Sequence, residues 1–408
     1  MKTLIQSKPH IEIADILRMH MADYLTKYNM PREHYKIVHD ILTCRTAYHG
    51  GHIEKCDHCG AERPAYNSCR NRHCPKCQTM TKERWLEARK NELLPVIYFH
   101  NVFTVPHEIN PVILCNKQVI LAILFKSVSE TLLQFGSNPE NGLGGKLGFI
   151  AILHTWDQKL NDHFHLHCLV PGGALSPDKD KWISCRNDFL FPDSALSQVF
   201  RGKFIDYLKQ AFEEEELIFP GNTASLGTSY GFKSCINQLW SKDWVVKIKE
   251  PIKRPELVLE YLGRYTHRVA ISNDRILGLH HGKVTFTYKN RDTGTRENVS
   301  LDAIEFIRRF LLHFLPKGFV RIRHYGFLAN RCKKENIKKC RKLLGLSSEL
   351  PERIEKSVEE IMFHLTGVDI KRCPFCKRGT MRVIAEIPKQ TDHSAFNLIH
   401  AYEFFDTG

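Results

Sequence analysis

No stretch of eighteen consecutive apolar residues occurs among the 408, and the apolar start Met1-Lys2-Thr3-Leu4-Ile5 soon meets Lys8, Pro9 and His10. A spanning helix needs about twenty apolar residues and a secretion signal an apolar core of roughly 7–15, so neither is expected, and no membrane partner. Acidic side chains are in deficit: 45 Asp and Glu stand against 59 Lys and Arg, a formal charge of +14. That excess favours a polyanionic partner, nucleic acid before acidic membrane, although solvated lysine faces supply part of it. Without an export signal the 14 cysteines are not expected to form a disulfide framework. They read as thiols kept reduced in the cytoplasm and open to metals. At 42% hydrophobic and 25% charged, the chain has ordinary globular composition and room for two or three cores.

The cysteines concentrate near the start. Cys56-x-x-Cys59 and Cys74-x-x-Cys77, with fourteen residues between the pairs, stand at nearly the spacing of a four-cysteine zinc site. Cys44, His52, Cys69 and His73 offer a second tetrahedral set, with His49 and His58 as competing ligands. One structural zinc is expected and a second is allowed. Arg45, Lys55, Arg63, Arg70, Arg72, Lys76, Lys82 and Arg84 surround these ligands, as suits a module seated on a phosphate backbone; a rigid spacer with solvated cations would carry the same residues.

Asp162-His163-Phe164-His165-Leu166-His167-Cys168-Leu169-Val170 alternates histidine with apolar residues and stops at Pro171-Gly172-Gly173. Alternation with period two predicts a strand whose histidines share one face while Phe164, Leu166 and Cys168 pack on the other. His165 and His167 thus make a metal hook, neutral imidazole being the commonest metal ligand. The run Leu147–Trp156 predicts a second strand, paired antiparallel with the first through a turn at 157–162. That pairing brings His154 near the hook as third ligand, with Asp162, His163 and His267 as alternatives. A hundred residues on, Leu257, Leu259, Tyr261, Leu262 and Tyr265 repeat with helical spacing after Pro255. Tyr261 and Tyr265, four apart, are expected on one helical face. A packed core would not need the neighbouring Arg264, His267 and Arg268.

His165-Leu166-His167 followed by Tyr261-x-x-x-Tyr265 resembles the His-apolar-His (HUH) endonucleases with two tyrosines. The words "LHTW", "HCLVPGG", "YLGRYTHRVAISN" and "FLPKGFVRIRHYGFLANR", between Cys44 and Asn330, resemble more narrowly the rolling-circle insertion-sequence transposases of family ninety-one. The resemblance implies an α+β fold: an antiparallel-sheet nuclease domain with a ferredoxin- or RRM-like core and helices on its faces. A small zinc-binding module precedes it, and a basic α/β region with a zinc-knuckle tail follows. In chain order this gives 1–95 (helical and zinc-binding), 96–275 (catalytic), 276–330 (a basic sheet and helix extension of the catalytic domain) and 331–408 (basic, with Cys373-x-x-Cys376). That last knuckle, taken with Cys332 and Cys340, is a further candidate zinc site.

A phenol titrates near 10, so tyrosine is a poor nucleophile at neutral pH unless the phosphate it attacks is polarised. A divalent ion with open positions does this, and a hard phosphate ligand together with the family likeness implies magnesium or manganese. The resemblance further implies single-stranded DNA at element ends and target as substrate, 5′-phosphotyrosine intermediates, no nucleotide cofactor, and a cytoplasmic, nucleoid-associated protein. Arg264, Arg268, Lys247, Lys249, Arg321 and Arg323 are the expected DNA contacts, the last two as a basic stripe on one strand face. A replication initiator or relaxase shares this chemistry, and a non-catalytic zinc-finger protein shares the cysteines. Both remain alternatives.

Overall fold

The computed structural model describes residues 11–186, 188–263, 265–290, 292–349 and 356–390. Two helices open the chain, α1 (Ile13–Lys27) and α2 (Arg32–Leu42), the second beginning behind Pro31. Hairpin strands β1 (Gly51–Cys56) and β2 (Glu62–Tyr66) follow, and α3 (Pro75–Lys90) starts inside the second Cys-x-x-Cys, its proline in the first turn where no N–H is needed. Strand β3 (Tyr98–Thr104) leads into α4 (Asn110–Cys115) and α5 (Lys117–Ser137). The two helices are separated at Asn116, whose amide NH2 donates to the Val112 and Ile218 carbonyls while its Oδ1 accepts from Ile218 N.

Long strands β4 (Gly148–Trp156) and β5 (Asp162–Pro171) form the expected hairpin. A small hairpin, β6 (Gly173–Leu175) with β7 (Trp182–Ser184), precedes helices α6 (Asp193–Glu213) and α7 (Ser229–Ser241), strand β8 (Val245–Ile248) and α8 (Pro255–Gly263). Strands β9 (Ile276–His280), β10 (Lys283–Lys289) and β11 (Arg296–Asp302) make a small antiparallel sheet. Helix α9 (Ala303–Leu312), strand β12 (Ile322–Gly326), helices α10 (Lys333–Leu343) and α11 (Val358–Thr366), and strand β13 (Met381–Ile387) complete the described elements.

The central sheet has the order β12-β4-β5-β3-β8, antiparallel throughout. Strand alternation sends Phe99, Phe103, Phe149, Leu153, Phe164, Leu166 and Val170 to one face, where α5, α6 and α7 cover them. Each such large side chain taken from water contributes about 1.5–3 kcal/mol, which makes this cluster the main anchor of the sheet. The same alternation leaves Tyr98, Ile150, Ile152 and Leu169 on the opposite face, under α8, α3 and α10. His100, His154, His165 and His167 share that second face.

Helix α5 is long and apolar enough to cross a bilayer, so the absence of a strict eighteen-residue apolar run did not exclude such a helix; 67% of its apolar window is buried in the protein. Segments separated in sequence order also pack together. The 276–330 segment, read above as an extension of the catalytic unit, lays α9 against α1 in a shared core, because Ile13, Ile16 and Leu17 on α1 need an apolar partner. The 331–408 region returns β13 to pair with β1, so the N-terminal sheet has the order β13-β1-β2. The fold is α+β with antiparallel sheets and a cysteine-bearing N-terminal module.

Candidate functional site

The cysteines are grouped differently from the grouping their spacing suggests. Cys74 and Cys77 meet Cys44 and Cys69, not Cys56 and Cys59: Cys77 Sγ lies 3.6 Å from both Cys44 Sγ and Cys69 Sγ. Cys56 and Cys59 face Cys373 and Cys376 instead. His52 and His73 join neither set. His52 Nε2 lies 3.3 Å from Glu54 Oε1, while His73 is buried against Phe314 with its Nε2 accepting from Leu315 N. His49 sits by Thr43 Oγ1, 3.1 Å away. Cys340 is buried among apolar side chains and Cys332 begins α10, so neither approaches Cys373.

The second cluster lies on the open face of the central sheet. Register pairs His154 of β4 directly with His165 of β5 and sets His167 opposite Val102 of β3. One nitrogen from each of His154, His165 and His167 lies within 4.8 Å of the others, and all three rings are buried. Burial holds His154 down at about 3 and His167 well below its ordinary value, so both stay neutral at physiological pH.

The hydrogen bonds of these rings determine which nitrogens are available. His165 Nδ1 lies 2.9 Å from the His163 carbonyl and His154 Nε2 2.8 Å from the Tyr265 carbonyl; a carbonyl only accepts, so each nitrogen carries its proton there. His167 Nδ1 contacts His100 Nε2 at 2.7 Å. The ligand nitrogens are therefore His154 Nδ1, His165 Nε2 and, with the His167 proton on Nδ1, His167 Nε2. His165 Nε2 and His167 Nε2 face each other at 3.0 Å. Two lone pairs at that separation repel unless a cation lies between them, and ligands about 2.1 Å from an ion at right angles stand about 3 Å apart. The donor set fits a divalent ion, each ring oriented by a partner on its second nitrogen.

Both tyrosines reach this cluster. Tyr261 lies on α8 and Tyr265 in the turn beyond its end at Gly263, so they do not share one regular helical face; the turn instead tips the Tyr265 ring to 4.2 Å from the His167 ring. Tyr265 donates to the Tyr261 hydroxyl at 3.3 Å, and Tyr261 contacts His100 Nδ1 through a short hydrogen bond. With His167 donating to His100 Nε2, the His100 proton lies on Nδ1 and points at the Tyr261 oxygen. Two donors thus converge on one phenolic oxygen beside the three ligand nitrogens.

The expected DNA contacts divide. Lys247 and Lys249 lie exposed on and just beyond edge strand β8, on the histidine side, with Lys247 3.5 Å from Asp193; Arg268 lines a cleft with Lys82 and His267. Arg321 and Arg323 form no common stripe, because the strand starts only at Ile322. Arg321 donates to the Arg268 carbonyl and Gln78 Oε1, clasping α3, and Arg323 lies over the Phe125 ring at 4.1 Å. Arg72, counted above among the DNA-facing cations, donates to the Leu315, Pro316 and Phe319 carbonyls. Arg264 lies outside the described residues. Of the alternative third ligands, His163 holds its ring 4.6 Å from that of His165 at a tilt, Asp162 sits at the hairpin end, and His267 lies by Trp85; none is in the ligand trio.

His100 was not picked out in the sequence as a site residue. Its signal was a histidine on the alternating face of a strand otherwise apolar at Tyr98 and Val102, and it is 2% exposed.

Comparison with known proteins accords with this arrangement. Residues 16–105 match the family described as "Transposase zinc-binding domain", and residues 148–336 the family described as "Putative transposase". The chain is 43% identical over 377 residues to "Putative transposase y4qJ" of Sinorhizobium fredii, covering 91% of this chain and 94% of the relative. It is 26% identical over 314 residues to the "Transposase for insertion sequence element IS801" of Pseudomonas savastanoi pv. phaseolicola, covering 76% of this chain and 74% of the relative. The two family matches and these relatives agree: the chain belongs to the insertion-sequence transposases of family ninety-one.

Proposed function

We propose that this transposase cuts and rejoins single-stranded DNA through phosphotyrosine links formed by Tyr261 and Tyr265, driving rolling-circle movement of an insertion sequence. The observation that carries the reading is the convergence of two phenolic hydroxyls, 3.3 Å apart, on a trio of buried imidazoles. A magnesium or manganese ion bound by His154, His165 and His167 would supply positive charge to the non-bridging oxygens of a phosphate.

The protein's own groups supply the rest. A tyrosine oxygen attacks phosphorus, the new O–P bond forms as the P–O3′ bond breaks, and the strand leaves as a 3′-hydroxyl. The phosphodiester energy stays in the 5′-phosphotyrosine, so rejoining needs no nucleotide. The His100 N–H and the Tyr265 hydroxyl, aimed at the Tyr261 oxygen, oppose its becoming charged far less than apolar packing would. Two nucleophiles side by side let one hold a cut end while the other engages a second strand. Lys249 and Arg268 flank the cluster as phosphate-positioning groups, and a zinc ion held by Cys44, Cys69, Cys74 and Cys77 would fix the start of α3. We place the protein in the cytoplasm, associated with the nucleoid.

The test is the Tyr261→Phe/Tyr265→Phe double variant. With manganese and a labelled single-stranded oligonucleotide carrying the element end, wild-type protein becomes covalently labelled and the double variant does not, while both bind the DNA. Failure of the wild type to become labelled on any element-end strand would leave a non-catalytic DNA-binding protein as the better reading.

A further inference from the structure

The match to the zinc-binding family ends at residue 105, yet half of one four-cysteine cluster comes from beyond residue 370. We propose that Cys373 and Cys376 complete, with Cys56 and Cys59, a second structural zinc site that staples the C-terminal arm of the chain onto its N-terminal module.

The geometry is that of a tetrahedral thiolate site. Cys56 Sγ lies 3.7 Å from Cys376 Sγ and Cys59 Sγ 3.7 Å from Cys373 Sγ, and all four sulfurs lie within 4.8 Å of one another. Zinc–sulfur bonds of about 2.3 Å at tetrahedral angles set sulfurs about 3.8 Å apart. A disulfide requires about 2.05 Å.

The two halves also repeat each other's backbone. Gly60 N bonds the Cys56 carbonyl and Lys377 N the Cys373 carbonyl, both at 3.1 Å, and both residues have left-handed φ, +70° and +60°. Cys56 N bonds the Ala61 carbonyl as Cys373 N bonds that of Gly379. Cys59 N points at Cys56 Sγ and Gly379 N at Cys376 Sγ, each at 3.4 Å, and donors aimed at sulfur favour the thiolate a metal takes. Gly379 is the close approach: a Cβ there would stand 2.5 Å from Cys56 Sγ.

Packing alone does not hold this unit. The cluster beneath the β13-β1-β2 sheet contains Cys56, Cys373, Met381 and the partly buried Cys376, and most of β13 is exposed. Three short strands over so small a core need a staple, and a zinc ion held by four thiolates would supply it. The consequence is topological: the arm between β12 and β13, with the exposed cations Lys334, Lys338, Lys339 and Lys342 of α10, is pinned at both ends.

Elemental analysis of the full chain, purified without added metal and without DNA, is the test, and it is independent of the tyrosine chemistry. Wild-type protein should carry two zinc ions, and Cys373→Ser/Cys376→Ser and Cys44→Ser/Cys69→Ser should each carry one. A Cys373→Ser/Cys376→Ser protein with undiminished zinc, or a wild type holding a single zinc, overturns the proposal. Should that variant fail to fold, cobalt-substituted Cys44→Ser/Cys69→Ser decides: a four-thiolate absorption spectrum supports the site, and its absence removes it.

Discussion

His100→Phe isolates the coupling between nucleophile and ligand trio. His100 is 2% exposed, and its Nε2 takes the His167 Nδ1 proton at 2.7 Å while its Nδ1 reaches Tyr261. Phenylalanine preserves the ring volume and removes both contacts. The His167 N–H is then buried without a partner, at a cost of about 1–3 kcal/mol, and the ring is freed to turn. Partners of this kind are worth roughly 10–100-fold in metal affinity, or about 1.4–2.7 kcal/mol, so the two magnitudes agree. Manganese titration followed by paramagnetic resonance of the free ion should show this weakening, and strand cleavage at saturating manganese should stay slow because the Tyr261 oxygen has lost a donor. Tyr98→Phe, two residues away on the same strand face, should leave manganese affinity unchanged. Wild-type affinity in His100→Phe would refute the tautomer assignment.

Acid should destabilise the fold through buried histidines. Burial holds His34 and His313 at about 4, below the ordinary 6.5. The unfolded chain therefore takes up protons first as pH falls, so stability is full above about 6.5 and falls towards 4, by up to ~1.4 kcal/mol per unit for each group. His313→Gln should flatten the pH dependence of thermal unfolding between pH 5 and 7. Gly326 has φ +63°, and a Cβ there would stand 1.6 Å from the Leu147 carbonyl oxygen, so Gly326→Ala should cost more than about 3 kcal/mol in denaturant unfolding by undocking β12. Arg72→Met removes the guanidinium donor from three carbonyls, of which only that of Pro316 keeps a second donor, Phe319 N, and should lower stability by about 2–4 kcal/mol with little change in the salt dependence of DNA binding. Lys249→Ala should do the reverse, lowering the slope of log affinity against log salt by about 0.7 with stability unchanged.

Local periodicity made the central sheet legible. The His strand, its partner and their hairpin follow from alternation alone, and the turn between them fixes the register that brings His154 opposite His165. What depends on distant pairing was not legible. The β3 register against β5 decides that His100 meets His167, and nothing local to Tyr98–Thr104 encodes it. Cysteine spacing suggested that neighbouring pairs share an ion, but Cys56 and Cys59 pair with residues more than three hundred positions away because β13 returns to β1. The cations misled for a related reason: Arg72 and Arg321 read as DNA contacts by charge, whereas their planar donors are committed to carbonyls and an amide oxygen inside the protein.

Mapping the DNA-linked peptide tests the central claim most directly. Wild-type protein incubated with manganese and an element-end single strand, then digested and read by mass spectrometry, should carry the 5′-phosphate on Tyr261 or Tyr265. A phosphate bonded to any other residue would contradict the account, as would strand cleavage that leaves no protein-linked DNA.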